Sequence, residues 1–272
     1  MTTLECLLSL NLDKWNEEKV NKFFDRNPNF DCNWRSYCYL DQPILVSACD
    51  ENNVAAVKRL LAFPDIDVNA KDTEGYTAFT LSAVKGRLDC VKVLLEDKRV
   101  KLNNLDRQGY STLCSTAFYG NAEVIIHWIA SGRELYLGNK GDKRTDAIKG
   151  AETNLRGEFS AMEMKYKTVI ALLLKAYINE PLLTQNKMRK LIGKPSIEAE
   201  FFAAIIFLCD GLLEFKEKEK GDSKAIKFFK IARILPMDIQ LILCCRTMGS
   251  SKENIPGWER ETAFKELASL FQ

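Results

Sequence analysis

Residues 65–83 read DIDVNAKDTEGYTAFTLSA, and a related stretch begins 34 residues further along the chain. Residues 99–117, RVKLNNLDRQGYSTLCSTA, keep an Asn, an Asp, a Gly-Tyr pair and the final Ala in the same places. A third segment, QPILVSA at residues 42–48, ends in an Ala at the same offset. Because recurrence at a fixed period is typical of stacked structural units, the sequence predicts a repeat protein.

Each copy has the pattern of a tight turn followed by two short helices. Gly75 and Gly109 provide the positive φ angle that a tight hairpin requires. Gly86 and Gly120 lie at a second shared offset, where the first helix must end and the chain turn back. Apolar residues spaced three and four apart then predict a second amphipathic helix at residues 57–61, 91–95 and 124–129.

The junction at residues 65–77 resembles the one between ankyrin repeats, whose unit of about 33 residues is a hairpin and two helices. Residues 18–24 and 27–34 are similar to the second helix of such a repeat and to the segment that follows it. The resemblance implies an all-α ankyrin-repeat solenoid with helix-turn-helix repeats and hairpin loops. We expect about four repeats, the first one a cap, at residues 1–37, 38–72, 73–106 and 107–140.

The turn at the start of each repeat departs from the family pattern. The family's Thr-Pro-Leu-His is represented by QPIL at residues 42–45, TAFT at 77–80 and STLC at 111–114. The resemblance implies that the His ties hairpin to helix, and only Thr80 keeps a clearly polar side chain at its position. We therefore expect a less regular and less stable array.

The repeat pattern stops after Ile129. Residues 131–150 contain four glycines and many charges, which predicts a long loop, and residues 162–177 predict a helix that Pro181 ends. We interpret 141–180 as a loop plus the second helix of a degenerate fifth repeat. Residues 181–272 predict an irregular helical region that caps the solenoid, with helices at 184–192, 196–217, 224–234, 237–248 and 258–271.

Composition and charge favour an intracellular protein without nucleic-acid or membrane partners. The net charge is +2, from 39 basic and 37 acidic side chains, so there is no basic footprint for nucleic acid. The nine cysteines are irregularly spaced and include no C-x-x-C pair, which is typical of free thiols in a reducing compartment. Residues 1–12 lack a basic leader, and no apolar run is long enough for a bilayer. We expect a cytoplasmic or nuclear monomer.

The residue types required for catalysis or cofactor binding are scarce. The single histidine, His127, lies between Ile126 and Trp128 in a predicted helix, with no nucleophile or orienting acid to name beside it. The usual cysteine pairs of a zinc site are missing, and the glycine-rich residues 138–143 lack the form of a phosphate loop. We therefore expect no enzyme activity, no cofactor and no metal.

Residues 234–243, ILPMDIQLIL, resemble the opening of an F-box, which begins Leu-Pro and continues as an acidic and apolar helix. The resemblance covers about ten residues and implies an alternative function, in which Leu235–Leu243 recruits a ubiquitin ligase and the repeats select its substrate. The simpler interpretation is a proline in a first helical turn.

The predicted solenoid presents hairpin tips and first-helix ends on one concave face, where side chains select a protein partner. Tyr and Arg are enriched at binding hot spots. The candidate contact residues are Arg35, Tyr37, Tyr39, Glu74, Tyr76, Lys85, Arg107, Gln108, Tyr110, Phe118 and Tyr119. The sequence thus favours a protein-binding scaffold, with the ligase adaptor as the alternative.

Overall fold

The computed structural model describes residues 16–36, 41–153, 161–210, 228, 231–232, 234–248 and 254–269. The chain divides into two compact units between Ile178 and Asn179. Helices of the first unit are α1 (Glu17–Arg26), α2 (Ile44–Asp50), α3 (Val54–Leu61), α4 (Ala78–Val84), α5 (Leu88–Glu96), α6 (Thr112–Phe118), α7 (Ala122–Ser131), α8 (Ala147–Glu152) and α9 (Ala161–Asn179). Helices of the second unit are α10 (Pro181–Leu191), α11 (Ile197–Cys209), α12 (Met237–Thr247) and α13 (Gly257–Ala268).

The all-α prediction is confirmed. Among the described residues, strands are limited to a two-residue antiparallel pair, β1 (Arg35–Ser36) with β2 (Gln42–Pro43). The inner helices α2, α4, α6 and α8 pack in series, and the outer helices α1, α3, α5 and α7 form a second series. Burial of each apolar stripe against its neighbours drives this stacking.

A side-chain cap begins several of the inner helices. The Thr77 hydroxyl accepts a hydrogen bond from the Thr80 amide at 3.2 Å, and the Ser111 hydroxyl accepts one from the Cys114 amide at 3.2 Å. These caps satisfy amides that lack a partner within the helix. The position of the absent family histidine is occupied by Leu45, Thr80 and Cys114 in the three repeats. The hydroxyl of Thr80 lies 3.0 Å from that of Thr112 in the next repeat.

The hairpins at residues 72–76 and 106–110 are each closed by an aspartate at the base. Asp72 Oδ1 accepts hydrogen bonds from the Glu74 and Tyr76 amides, at 3.0 and 2.8 Å. Gly75 has φ +84°, and a side chain there would lie 2.7 Å from the Arg107 amide nitrogen. Asp106 makes the same two bonds in the next repeat. The glycine is therefore required both for the turn and for the approach of the next repeat.

A ladder of asparagines, Asn33, Asn69 and Asn103, joins successive repeats just before the hairpins. Each carboxamide bonds the backbone of the following repeat twice. The side-chain nitrogens donate to Asp65 O (2.9 Å), Arg99 O (2.9 Å) and Glu134 O (3.3 Å), and the side-chain oxygens accept from the amides of Asp67 (2.7 Å), Lys101 (2.7 Å) and Tyr136 (3.0 Å). The period of the sequence is thus also the period of its cross-repeat hydrogen bonds.

The prediction of a loop over residues 131–150 is wrong at its carboxyl end. Helix α8 begins at Ala147 and packs on α6 as the first helix of a further hairpin-and-helix unit, with α9 as the helix that follows. Its buried residues, Ala147, Gly150 and Ala151, are all small. Six residues are too few to show helical periodicity, and a glycine within them suggests a loop instead.

The second unit has its own core, formed where α11, α12 and α13 meet. Phe202, Ile205, Cys244 and Ala263 are buried there. Pro181 has a second role besides ending α9: it is the first residue of α10, a position that suits its fixed φ and its missing amide proton. The predicted helix at 196–217 is described as far as Cys209, and most of the one at 224–234 lies outside the described residues.

Candidate partner-binding face

The hairpin tips of neighbouring repeats are connected through their backbones. The Arg107 amide donates to Glu74 O at 2.8 Å, and the Ser111 amide donates to Arg144 O at 2.9 Å. We call the surface formed by residues 72–76, 106–110 and 139–145, with Lys85, Phe118 and Tyr119, the hairpin-tip face. The bonds between tips make it one continuous surface of the first unit.

Three of the aromatic candidates, Tyr76, Phe118 and Tyr119, lie near one another on this face. Burial raises the pKa of Tyr76, and the nearby Asp106 and Tyr119 raise it further. Phe118 and Tyr119 meet edge to face with ring centroids 5.2 Å apart, and the Tyr119 side chain is 55% exposed. Tyr110 is half-buried. Tyr119 is therefore the most accessible aromatic of the group, while Tyr76 and Tyr110 also pack within the repeats.

The polar candidates differ in how firmly they are held. Arg35 is bonded to Asp41 at 2.9 Å and to Lys71 O at 2.8 Å, and Lys85 pairs with Asp50 in the previous repeat. These contacts fix Arg35 and Lys85 between repeats. Glu74, Arg107 and Gln108 are exposed at their tips. Tyr37 and Tyr39 lie outside the described residues.

Three basic residues that the sequence analysis missed extend the face. Lys140, Lys143 and Arg144 are exposed on the hairpin that precedes α8. Asp142 Oδ1 accepts a hydrogen bond from the Arg144 amide at 3.0 Å, as Asp106 does from the Gln108 amide. The helix cap Asp146, 35 residues after the cap Ser111, is the signal that identifies this hairpin.

Lys167 is buried against Phe118 of the hairpin-tip face. Its side chain is 1% exposed, donates to Thr153 O, and lies with its nitrogen 4.6 Å from the centre of the Phe118 ring. A buried cation over an aromatic ring stabilises the ring's position. The contact therefore links α9 to the aromatic group at the end of α6.

His127, the single histidine of the chain, makes a contact within its own helix. His127 Nδ1 lies 2.9 Å from Glu123 O in the preceding helical turn, which is a local structural contact. In the parts of the chain that the structure covers, no group of three or more His, Cys, Asp and Glu residues could hold a metal ion. None of the helices within these parts is long and apolar enough to cross a membrane.

The F-box-like segment starts helix α12. Pro236 precedes its first turn, and Gln240 is buried there, with its amide nitrogen donating to Leu235 O at 2.9 Å and to Ala232 O at 3.1 Å. Met237 and Ile239 are about half exposed. Pro236 therefore opens a helix, as the simpler interpretation expects, and recruitment of a ligase by this segment stays a prediction.

Comparison with protein families matches residues 18–136 to ankyrin repeats, in three copies. The match begins in α1 and covers the Asn ladder and three of the hairpins. Residues 18–136 are therefore similar to ankyrin repeats, which stack into extended surfaces that bind partners. The match does not extend to the F-box-like segment, and the resemblance noted there has no support from it. A search of curated proteins finds no match.

Proposed function

We propose that the chain is a non-catalytic scaffold that binds a partner protein on the hairpin-tip face. The observation that carries this proposal is the group of Tyr76, Phe118 and Tyr119 on a face that also has the exposed Arg107, whose amide bonds Glu74 O. Aromatic and arginine side chains on a rigid support form hot spots at low entropic cost. Repeats joined by backbone bonds provide such a support.

We propose the cell interior as the site of this binding. No disulfide joins the seven described cysteines, and six of them are buried: Cys32, Cys49, Cys90, Cys114, Cys244 and Cys245. Free buried thiols within a packed core suit a reducing compartment.

Paired variants of the full chain test the binding face. Tyr119→Ala with Arg107→Ala removes an exposed aromatic and an exposed cation, and we expect it to reduce partner capture from native extract at least tenfold. Lys98→Ala with Lys101→Ala, which we call the ladder-edge variant, removes two exposed cations from the loop after α5, where the Lys101 amide keeps its bond to Asn69.

Quantitative mass spectrometry of proteins captured by each variant is the measurement, followed by titration of the purified partner. The proposal expects the ladder-edge variant to bind as the wild type does. Equal binding by the hairpin-tip variant, with its helical content unchanged, would show that the partner uses another surface.

A further inference from the structure

The second unit contains a cavity of about 670 Å³ that the ankyrin repeats do not contribute to. It is bordered by α10, by the first turn of α11 and by the start of α13. This volume is in the range of sites that hold a small molecule or a long side chain. Leu182 and Leu183 are about half exposed at its rim, and Met248 and Ile255 add apolar surface.

A buried carboxylate borders the cavity. Glu198 lies in the first turn of α11 and is 8% exposed. Its Oε2 accepts a hydrogen bond from the side-chain amide of Asn186 at 2.9 Å. Asn186 is itself held, because its Oδ1 accepts a bond from the Ile197 amide at 2.9 Å. Asn186 of α10 therefore holds the Glu198 carboxylate in position.

The neighbouring acidic residues are paired with cations, whereas Glu198 is not. Glu259, which is 1% exposed, lies 2.8 Å from Lys190 Nζ and accepts a bond from the Ser196 amide. Arg189 pairs with Glu200. Within the described part of the chain, the bonded partner of Glu198 is the neutral amide of Asn186. The other charged residues that border the cavity, Glu180 and Lys187, are exposed.

An ionised carboxylate that is buried without a cation destabilises the fold. The amide hydrogen bond from Asn186 and the partial positive charge of the α11 N-terminus offset part of that cost. A cation in the cavity would offset the remainder, and the apolar rim fits a hydrocarbon chain attached to it. Apolar walls with a small number of precisely placed polar or charged groups are the usual design of a small-molecule site.

We infer that this cavity binds an organic cation, an ammonium or guanidinium group carried on an apolar chain. The cationic group lies against Glu198, and the chain lies along Leu182, Leu183 and Ile255. Such a group occurs on free alkylamines and on the lysine or arginine side chains of a polypeptide. The inference is independent of the hairpin-tip face.

Calorimetric titration of the full chain tests this site, with n-hexylamine, n-hexanol and N-acetyl-lysine methylamide as probes. We expect hexylamine to bind at least tenfold more tightly than hexanol, because the two differ in the charge that Glu198 recognises. Tighter binding of the lysine derivative than of hexylamine would assign the site to a polypeptide side chain. The reverse order would assign it to a small amine.

Two charge-matched variants complete the test. Glu198→Gln should weaken hexylamine binding at least tenfold and raise the melting temperature of the free protein. Glu261→Gln removes the same charge from an exposed residue paired with Lys265 on α13, and it should leave binding unchanged. Equal affinity for hexanol and hexylamine, equal binding by Glu198→Gln, or no binding by the wild type would overturn the inference. The comparison of probes on the wild type decides the question if Glu198→Gln does not fold.

Discussion

At the scale of single residues, Gly150 sets how closely α8 approaches α6. A β-carbon at this position would lie 2.8 Å from Cys114 O and 2.9 Å from Cys114 Sγ. Both distances are shorter than real β-carbon contacts, so the helices would have to separate. The glycine that weakened the helical pattern in the sequence is therefore the residue that permits the packing.

We predict that Gly150→Ala lowers the free energy of unfolding by about 1–3 kcal/mol, because the added methyl group overpacks the contact. Urea unfolding of the full chain, followed by circular dichroism, measures this. Gly257→Ala is the matched control, since the nearest atom to its added methyl group is the end of the Arg260 side chain at 4.0 Å. An unchanged midpoint for Gly150→Ala would mean that α6 and α8 are not in tight contact.

The cysteines are predicted to differ in reactivity. Burial raises the pKa of Cys114 to about 11 and that of Cys244 to about 12, whereas Cys209 is exposed. Because the thiolate is the nucleophile, about one Cys114 in a thousand is reactive at pH 8. Iodoacetamide labelling of the native protein, followed by peptide mass mapping, should modify Cys209 at least tenfold faster. Similar rates for Cys209 and Cys114 would contradict the buried position of Cys114.

At the scale of elements, arginines from one repeat cap the outer helix of the previous one. Arg133 donates to Leu95 O at 3.1 Å and to Asp97 O at 2.9 Å, at the end of α5. Arg99 reaches Leu61 O and Phe63 O at the end of α3 in the same way. These bonds satisfy carbonyls that have no partner within the helix and complement its dipole.

Arg133→Met should therefore cost about 1.5–3 kcal/mol of stability, the range for hydrogen bonds from a charged donor. Lys92 lies within α5, the helix that Arg133 caps, and its ion pair with Asp89 is exposed. Lys92→Met should therefore cost less than about 1 kcal/mol of stability. Thermal or urea unfolding of both variants gives the comparison. Equal losses would show that capping by Arg133 contributes no more than a surface ion pair.

At the scale of the whole molecule, the period of the sequence was sufficient to predict the repeats, because each repeat buries its apolar stripe against an equivalent neighbour. The hairpins with Gly75 and Gly109 follow from the same period. Helix α8 was missed because its small residues carry no periodic apolar signal. The basic residues of its hairpin, including Arg144, were missed with it.

The cavity of the second unit could not be predicted for a different reason. A turn separates Lys190 from Glu198, and Glu259 lies far along the chain from both. No local sequence pattern therefore marks the three residues as neighbours. Packing of α10, α11 and α13 brings them together. Repeats can be recognised from one sequence, whereas the site in the irregular region depends on tertiary contacts.

Amide hydrogen exchange of the full chain, with and without the purified partner, tests the central claim most directly. We predict added protection at residues 72–76, 106–110 and 139–145, with no change in the outer helices α3 and α5. Protection of α3 and α5 with unchanged exchange at the hairpin tips would contradict the proposed binding face.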